Sequence, residues 1–287
     1  MKKWRGLIFL IFLAFLASYL VSYSIKRETK NITSEKIERI ISLNVAATEI
    51  LIGLGLEDEI VGVSFTKSNP AVVREKPKVG RGFGNVNVEA VLALCPDIVF
   101  AYKGDASVLE EKGIPVFCVD TCNLEAVISL VRRIGKIVDK ESEAEKIARR
   151  MENRINEVKK KLKNIKNYPL VYFEAGSIGH TRGPGSLTHD LITLAGGKNL
   201  ARDEPVAFPL LSQEYIIAKN PDIIIVEEYG PSIEEIKKRD GWQDIKAIKN
   251  NRIFRSSVYY TNYTPRCIEG LEQFANWFHP QLFINEE

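Results

Sequence analysis

Two glutamates occupy the same position within two similar stretches of the chain. Glu89 and Glu214 each follow a helix-capping residue by two positions and precede a proline by seven. A carboxylate in the first turn of a helix interacts favourably with the helix dipole, which is the simplest role for either residue. Nothing in the local sequence requires the same spacing twice, so we interpret the two stretches as copies of one unit.

The histidines and cysteines do not form a metal-binding pattern. The chain has three histidines, whereas a free zinc or manganese site needs three or four histidine and carboxylate ligands. Cys118 and Cys122 are closely spaced, but they lack the second pair that a structural zinc site requires. A disulfide between Cys95 and Cys118 and buried free thiols both remain open. A receptor for free zinc or manganese is therefore a minor alternative.

A glycine-rich stretch at residues 80–84 offers the other alternative, a nucleotide-binding Rossmann-type enzyme. Phosphate-binding glycines of this type follow a strand directly and open a helix. No predicted strand leads directly into this stretch and no helix opens after it, and the chain has no Gly-Lys-Ser/Thr phosphate loop. No Ser-His-Asp or Cys-His set is anchored by spacing either, so we do not expect an enzyme.

Each copy of the duplicated unit has the same order of elements. A capped helical run ends at a proline, and an apolar strand without polar alternation follows at 98–101 in one copy and 223–226 in the other. Such strands are typical of a parallel sheet that is covered on both faces. Matching helices near Thr48 and Thr188 precede the two copies, and matching strands near Val116 and Ile253 follow them. The sequence therefore predicts two similar α/β lobes.

The remaining elements complete these lobes and join them. Strands are predicted at 40–43, 59–63, 97–101, 116–119, 170–173, 223–226 and 252–254. Helices are predicted at 48–54, 88–94, 124–138, 187–195, 215–218, 233–239 and 268–278, with another ending near Glu110. Irregular segments at 64–87, 174–186, 201–211 and 259–266 remain, and long loops often carry function. Between the lobes, a single apolar stripe predicts one helix from Glu141 to Ile165, about 37 Å long, that limits hinge bending.

Charge and composition exclude some partners. The net charge of +3 disappears when Lys2, Lys3 and Arg5 are removed, which leaves 37 basic and 37 acidic residues. The folded body is therefore about neutral and lacks the basic stripe of a nucleic-acid-binding protein.

The first 25 residues form a targeting segment. Basic residues precede an uncharged apolar run from Gly6 to Ile25, which places the rest of the chain outside the cytoplasm. We expect a signal peptide or, by preference, an uncleaved membrane anchor at 1–25, followed by a polar tether at 26–36. No cysteine follows the apolar run directly, so a lipid-anchored cysteine is excluded. The protein is thus expected at the outer face of the cytoplasmic membrane, anchored there or secreted after cleavage.

With these elements in order, the chain resembles the helical-backbone (class III) periplasmic-binding-protein family, which serves ABC importers of ferric siderophores, haem and cobalamin. The matching stretches are 39–43, 47–51, 54–56, 61–64, 87–97, 183–186, 194–199 and 212–222. The resemblance implies two Rossmann-like lobes with parallel sheets, joined by one long backbone helix, with the ligand cleft between them. The corresponding boundaries are 37–138, 139–166 and 167–287.

The resemblance also implies a function. The protein would be an extracytoplasmic solute-binding protein that captures an iron chelate (siderophore or haem) or a corrinoid. It would act as a monomer without a cofactor and deliver its cargo to an ABC permease dimer with its ATPase. In such proteins one glutamate on each lobe docks onto arginines of the permease, and by position these are Glu89 and Glu214.

The ligand site implied by the resemblance comes from the irregular loops. By position they supply Thr66, Arg81, Phe83, Tyr102, His180, Arg182, Phe208, Tyr259, Tyr260 and Arg266. Aromatic rings suit a large flat or hydrophobic chelate, and arginines suit its carboxylate or phosphate groups. His180 would either stack on the cargo or ligate its metal. Neutral residues at Val258 and Asn262, where a cobalamin receptor carries charge, count against cobalamin.

Overall fold

The structure, a computed structural model, describes residues 36–81 and 84–283. The predictions for residues 1–25, for most of the tether and for Phe83 lie outside these residues. In the part that is described, no helix is both long and apolar enough to cross a membrane. The helices and strands of the described residues belong to one compact unit, Glu38–Glu287.

The amino-terminal lobe contains a parallel sheet with helices around it. Its strands are β1 (Ile40–Ser42), β2 (Ile60–Ser64), β3 (Lys78–Gly80), β4 (Ile98–Ala101) and β5 (Val116–Cys118). Its helices are α1 (Val45–Gly53), α2 (Val88–Ala93), α3 (Lys103–Glu110) and α4 (Leu124–Ile137), with a 3-10 turn at Ala71–Val73. The strands lie in the order β3-β2-β1-β4-β5, and all pairs are parallel.

The carboxyl-terminal lobe repeats this plan. Its strands are β6 (Leu170–Glu174), β7 (Lys198–Asn199), β8 (Ile223–Glu227) and β9 (Ile253–Ser256). The long helix α5 (Glu141–Lys161) precedes this lobe in the chain. The helices of the lobe are α6 (Leu187–Leu194), α7 (Gln213–Lys219), α8 (Ile233–Lys237), α9 (Lys246–Lys249), α10 (Val258–Thr261) and α11 (Cys267–Phe278), followed by a 3-10 turn at Pro280–Leu282. The parallel strands lie in the order β7-β6-β8-β9.

The two strand orders confirm the duplication. The order β2-β1-β4-β5 corresponds strand for strand to β7-β6-β8-β9, and β3 is an additional edge strand of the first lobe. The aspartate after each duplicated proline has a matching role. Asp97 Oδ2 accepts hydrogen bonds from the N–H groups of Glu38 and Arg39, each at 2.8 Å, and Asp222 Oδ2 accepts one from Leu170 at 2.8 Å. Each aspartate thus fixes the start of its lobe's first strand.

A single long helix, α5 (Glu141–Lys161), lies between the lobes in sequence and packs on both. Arg132 of α4 pairs with Glu145 and Glu152 of α5, at 2.8 and 2.9 Å. On the other side, Arg154 of α5 forms a bidentate ion pair with Glu272 of α11, at 2.7 and 2.6 Å. The backbone helix that the sequence predicted is therefore present and is tied to both lobes.

The helix α5 ends four residues before the predicted Ile165. Its last turn carries Lys159, Lys160 and Lys161, which suit the negative end of the helix dipole. A turn with hydrogen bonds between residues three apart follows it. The apolar stripe continues into this turn, because Leu162 is still buried. Periodicity alone therefore overestimated the length of the helix.

Several short elements were absent from the sequence prediction. The strands β3 and β7 and the helix α10 are two to four residues long, too short for a periodic pattern. The first helix begins at Val45 rather than Thr48, because the Asn44 side chain accepts a hydrogen bond from the Ala47 N–H and caps it there.

The cysteines are free thiols. Cys267 is buried, Cys118 is half-buried, and Cys95 and Cys122 are exposed. Cys95 precedes β4 whereas Cys118 ends the neighbouring parallel strand β5, so the two lie towards opposite edges of the sheet. The disulfide between Cys95 and Cys118, which was one of the two possibilities, is therefore not formed. The other possibility, a buried free thiol, applies to Cys267 alone.

Candidate functional site

The predicted ligand residues of the first lobe follow the carboxyl ends of its strands. Thr66 lies two residues after β2, Arg81 one residue after β3, and Tyr102 one residue after β4. All strands of this sheet run in the same direction, so these positions share one edge, the edge at which open α/β sheets bind ligands.

In the second lobe, residues 179–183 and 206–211 pair to form a short antiparallel structure, called the ribbon below. Leu211 N–H donates to the Gly179 carbonyl at 2.9 Å, Thr181 N–H to Pro209 at 3.1 Å, and Gly183 N–H to Ala207 at 2.9 Å. His180 and Leu210 form an antiparallel bridge between these bonds. The ribbon follows β6 and precedes α7, so it extends from the carboxyl edge of the second sheet.

Exposure alternates along the ribbon. Val206, Phe208 and Leu210 are 52%, 63% and 68% exposed, and His180 opposite them is also exposed. The residues between them, Gly179, Thr181, Gly183, Pro209 and Leu211, are buried. The ribbon therefore presents one face that combines apolar side chains with His180 and Arg182. A group of large apolar side chains that are exposed to solvent is typical of a binding surface.

The three arginines predicted for the ligand site each lie over an aromatic ring. The Arg182 guanidinium is 5.3 Å from the centre of the Phe208 ring, and Arg266 is 4.2 Å from that of Tyr259. In the first lobe, Arg81 is 6.0 Å from the ring of Phe65. A guanidinium that stacks on a ring keeps its N–H groups free at the edge, where they can donate to a carboxylate.

The carboxylates near these arginines leave them available. Arg182 lies 3.7 Å from Glu227, and Arg266 lies 3.9 Å from Glu269. Both distances are too long for strong charge-assisted hydrogen bonds, which are usually 2.7–2.9 Å. The described ion pairs do not include Arg81. A ligand that carries anionic groups would therefore find three accessible guanidinium groups.

The two tyrosines of α10 differ in their surroundings. Tyr259 contacts Arg266, whereas the Tyr260 backbone packs so closely on Gly270 that a Cβ there would lie 2.6 Å from its carbonyl oxygen. Glu228 fixes the start of α10, because its Oε2 accepts hydrogen bonds from Val258 N–H at 2.9 Å and Ser257 Oγ at 3.1 Å. Both tyrosines are half-buried.

The side chains of Tyr102 and Thr66 form hydrogen bonds within their own lobe. Burial raises the pKa of Tyr102, whose hydroxyl is hydrogen-bonded to the backbone of Val45 at the start of α1. Thr66 Oγ1 accepts a hydrogen bond from Ser68 N–H at 3.2 Å. Both residues are half-buried and lie at the predicted edge.

The lobes meet at α1, α4, α6 and the start of α11. Asp190 Oδ2 of α6 accepts a hydrogen bond from Leu124 N–H at 3.1 Å, and so supplements the Asn123 cap of α4 from the other lobe. Glu49 of α1 lies near Thr264 and Arg266, and burial raises the pKa of its carboxyl. These contacts link the two lobes beside the backbone helix.

The sequence did not identify Val206, Leu210 or Phe65. The signal for the first two was present, since Val206, Phe208 and Leu210 alternate with Ala207, Pro209 and Leu211 in the period of a strand. The prolines of this segment concealed it. Phe65 is 62% exposed and directly follows β2, but nothing in its local sequence distinguishes it from a core residue.

The duplicated glutamates are exposed in the first turns of α2 and α7. Asn87 Oδ1 accepts a hydrogen bond from Ala90 N–H at 3.0 Å, and Ser212 Oγ accepts one from Tyr215 N–H at 3.2 Å, as the capping prediction required. Within residues 36–81 and 84–283, neither Glu89 nor Glu214 forms an ion pair. Both side chains are exposed to solvent, and the Glu214 carboxylate is hydrogen-bonded within its own first turn, to its own backbone N–H and to the Ser212 side chain.

The described residues do not contain a cluster of three or more histidine, cysteine, aspartate or glutamate side chains that could hold a metal ion. His189 and His279 are engaged elsewhere, with Asn199 at 3.0 Å and with the Gly196 carbonyl at 3.1 Å. His180 remains as an exposed imidazole on the ribbon.

Comparison with known proteins gives one family. Residues 40–257 match the family model described as periplasmic binding protein. The chain is 30% identical over 273 residues to the ABC transporter substrate-binding lipoprotein YvrC of Bacillus subtilis, which covers 91% of this chain and 83% of that protein. It is 28% identical to the vitamin B12-binding protein of Salmonella paratyphi A over 83% of this chain and 89% of the other.

Among solved structures, the fold is similar to that of the periplasmic heme-binding protein RhuT from Roseiflexus in its apo form. The TM-score is 0.76 with 25% sequence identity, over 86% of this chain and 99% of that chain. The two-lobed fold of class III binding proteins, which the sequence predicted, is thereby confirmed.

Proposed function

Because the chain belongs to the periplasmic binding protein family, whose members are extracytoplasmic solute-binding proteins rather than enzymes, we propose that it captures a metal chelate for an ABC importer. The cargo would be an iron chelate, a siderophore complex or haem, held in the cleft between the lobes. The protein would act as a monomer and transfer this cargo to a permease dimer with its ATPase.

The observation that carries this proposal is the ribbon with its arginines. Val206, Phe208 and Leu210 offer an apolar surface of the kind that a flat chelate can cover, and Arg182 lies over the central ring. The accessible guanidinium groups favour a cargo with carboxylate or other anionic groups. Siderophore complexes and haem have this chemistry.

A corrinoid is the second candidate, because one relative is named as a vitamin B12-binding protein. Cobalamin carries neutral amide side chains around its ring and a single phosphate, so it offers the arginines of the site fewer anionic groups than a carboxylate-rich chelate does. Val258, the first residue of α10, and Asn262, which follows its last residue, are neutral, whereas the family resemblance implies charge at these positions in a cobalamin receptor. The charge of the cleft residues therefore favours the anionic chelate over the corrinoid.

For delivery, we propose that Glu89 and Glu214 dock onto arginines of the permease. They lie in matching first turns of α2 and α7, one in each lobe, and such a pair suits a partner with two-fold symmetry. We further propose that residues 1–25 anchor the protein at the outer face of the cytoplasmic membrane, with 26–36 as the tether.

Native mass spectrometry of the protein purified from its own cells tests the cargo directly. We expect a retained chelate that contains iron. Arg182→Gln should lower its occupancy about tenfold, since it removes a charge-assisted hydrogen bond to the cargo. The control is Arg202→Gln, because Arg202 is exposed and pairs at 3.6 Å with its neighbour Asp203. A retained nucleotide, or a chelate that Arg182→Gln binds as well as the wild type, would contradict the proposal.

A further inference from the structure

The backbone of the ribbon is held by side chains that do not reach its exposed face. The Tyr172 hydroxyl accepts a hydrogen bond from Gly179 N–H at 3.0 Å, and Asn199 Nδ2 donates one to the Arg182 carbonyl at 2.7 Å. Tyr172 is 0% exposed and Asn199 is 1% exposed. Both side chains therefore act from within the lobe, behind the surface that His180 and Arg182 present.

The orientation of the Tyr172 hydroxyl is itself fixed. It donates to Glu174 Oε2 at 3.1 Å, and the buried Glu174 carboxylate is held by Arg239 through two hydrogen bonds of 2.6 Å. An ionised carboxylate only accepts hydrogen bonds. The hydroxyl proton must therefore point to Glu174, which leaves an oxygen lone pair for Gly179 N–H. The Arg239 guanidinium in turn lies 4.5 Å from the centre of the Trp242 ring.

Gly179 is the point at which this network meets the ribbon. Its φ of +80° is open to glycine, and an added Cβ would lie 2.3 Å from the Leu211 carbonyl oxygen. Its N–H bonds to Tyr172 and its carbonyl to Leu211 N–H. Both peptide groups around Gly179 are thus fixed, and with them the direction in which His180 leaves the backbone.

We propose that Tyr172, oriented by Glu174 and Arg239, is a positioning residue for the ligand surface, and that Asn199 has the same role at Arg182. They hold residues 179–182 in one conformation, so that His180 and Arg182 meet the cargo already ordered, without contacting it themselves. Preorganisation of this kind improves affinity by reducing the entropy lost on binding. The link to affinity rests on the proposed function, whereas the ordering of the ribbon does not.

Tyr172→Phe tests this proposal, because it removes one hydroxyl and keeps the ring. Hydrogen exchange in the full chain should become about tenfold faster for the amides of 179–183 and 207–211, which corresponds to the loss of one buried hydrogen bond. Exchange in β8 should stay unchanged. The control is Tyr168→Phe, because Tyr168 lies near the same strand but is 43% exposed. Asn199→Ala should accelerate exchange around Arg182 in the same way.

Two results would overturn the proposal. One is unchanged exchange in the ribbon, and the other is faster exchange throughout the second lobe or loss of its cooperative unfolding, which would make Tyr172 a general core residue. Haemin and cyanocobalamin then serve as probes for binding. A probe that the wild type binds should bind Tyr172→Phe about tenfold more weakly at a temperature at which both proteins are fully folded. If the wild type binds neither probe, haem and cobalamin are excluded as the cargo, while the exchange result still decides the role of Tyr172.

Discussion

At the scale of single residues, Glu49 is a carboxyl whose burial affects its protonation. It extends from α1 towards Thr264 and Arg266 of the other lobe, and its Oε1 is shielded from water. Loss of hydration raises its pKa above the ordinary value of 4.5, and Glu269 adds to this effect, while Thr264 and Arg266 partly offset it. The folded protein therefore binds the Glu49 proton more tightly than the unfolded chain does.

Glu49→Gln should consequently change the pH dependence of stability. As the pH rises above 4.5, the unfolded chain loses the Glu49 proton before the folded protein does, so this group lowers the free energy of unfolding progressively. The variant lacks this loss, and its stability relative to the wild type should increase as the pH rises above 4.5. Urea unfolding at several pH values measures the difference.

The exposed Glu143 provides the control for this experiment. The free energy of unfolding of Glu143→Gln should change with pH in the same way as that of the wild type across the same range. If the stability of Glu49→Gln shows the same pH dependence as that of the wild type, or falls relative to it with rising pH, then the effect of Arg266 on the Glu49 pKa outweighs that of burial.

At the scale of elements, α4 and α5 approach each other closely at Gly135. A Cβ added there would lie 2.2 Å from the Cβ of Ala144 and 3.1 Å from the Lys140 carbonyl. Real Cβ atoms do not approach each other so closely, so the absence of a side chain at Gly135 sets the distance between the two helices. The long helix depends on this contact for its position against the first lobe.

Gly135→Ala should therefore destabilise the protein by about 2 kcal/mol, since overpacking outweighs the better helix propensity of alanine. Ala144→Gly alone should cost about 1 kcal/mol. The double variant should lose less stability than the sum of the two, because the new methyl group then occupies the space vacated at Ala144. Urea unfolding of all four proteins measures the coupling, and strictly additive losses would show that the two positions do not compete for space.

The sequence predicted elements well where a pattern was long enough. The apolar runs of β4 and β8 and the stripe of α5 each gave the correct type of element, and the repeat gave the two lobes. The strands β3 and β7 were missed because their pairing, rather than their composition, defines them. The ribbon was missed for a similar reason, since its hydrogen bonds join segments more than twenty residues apart.

The candidate site was only partly accessible to the same reasoning. His180, Arg182 and Phe208 were identified from their loops and do lie on one surface. The buried hydrogen-bond network behind these residues was not identified from the sequence. Tyr172 and Glu174 belong to a strand in which they resemble ordinary core and terminal residues. A buried hydrogen-bond network depends on the distances between elements, which a single sequence does not contain.

At the scale of the whole molecule, the duplicated glutamates predict how the protein meets its transporter. The double variant Glu89→Ala with Glu214→Ala should abolish uptake of the cargo while its affinity for the cargo stays unchanged, because both residues lie outside the ribbon and the strand ends. Uptake by cells and retention of cargo by the purified protein measure the two effects separately.

Glu125 offers a matched control for this experiment. It also lies in the first turn of a helix behind an asparagine cap, since Asn123 Oδ1 accepts from Ala126 N–H at 2.8 Å. Glu125→Ala should therefore leave uptake intact if docking, rather than a helix-dipole effect, explains the duplicated pair. Loss of cargo binding in the double variant, or normal uptake, would contradict the docking role.

The contacts of α5 with both lobes have a consequence for how a transporter could recognise a loaded receptor. Ion pairs fix this helix on each side, and Asp190 adds a cap across the boundary between the lobes. Because these contacts hold the two lobes together, the lobes have little freedom to close around a bound ligand. The transporter would then have to distinguish the loaded from the ligand-free protein by contacting the exposed part of the ligand at the opening between the lobes, rather than by sensing a large conformational change.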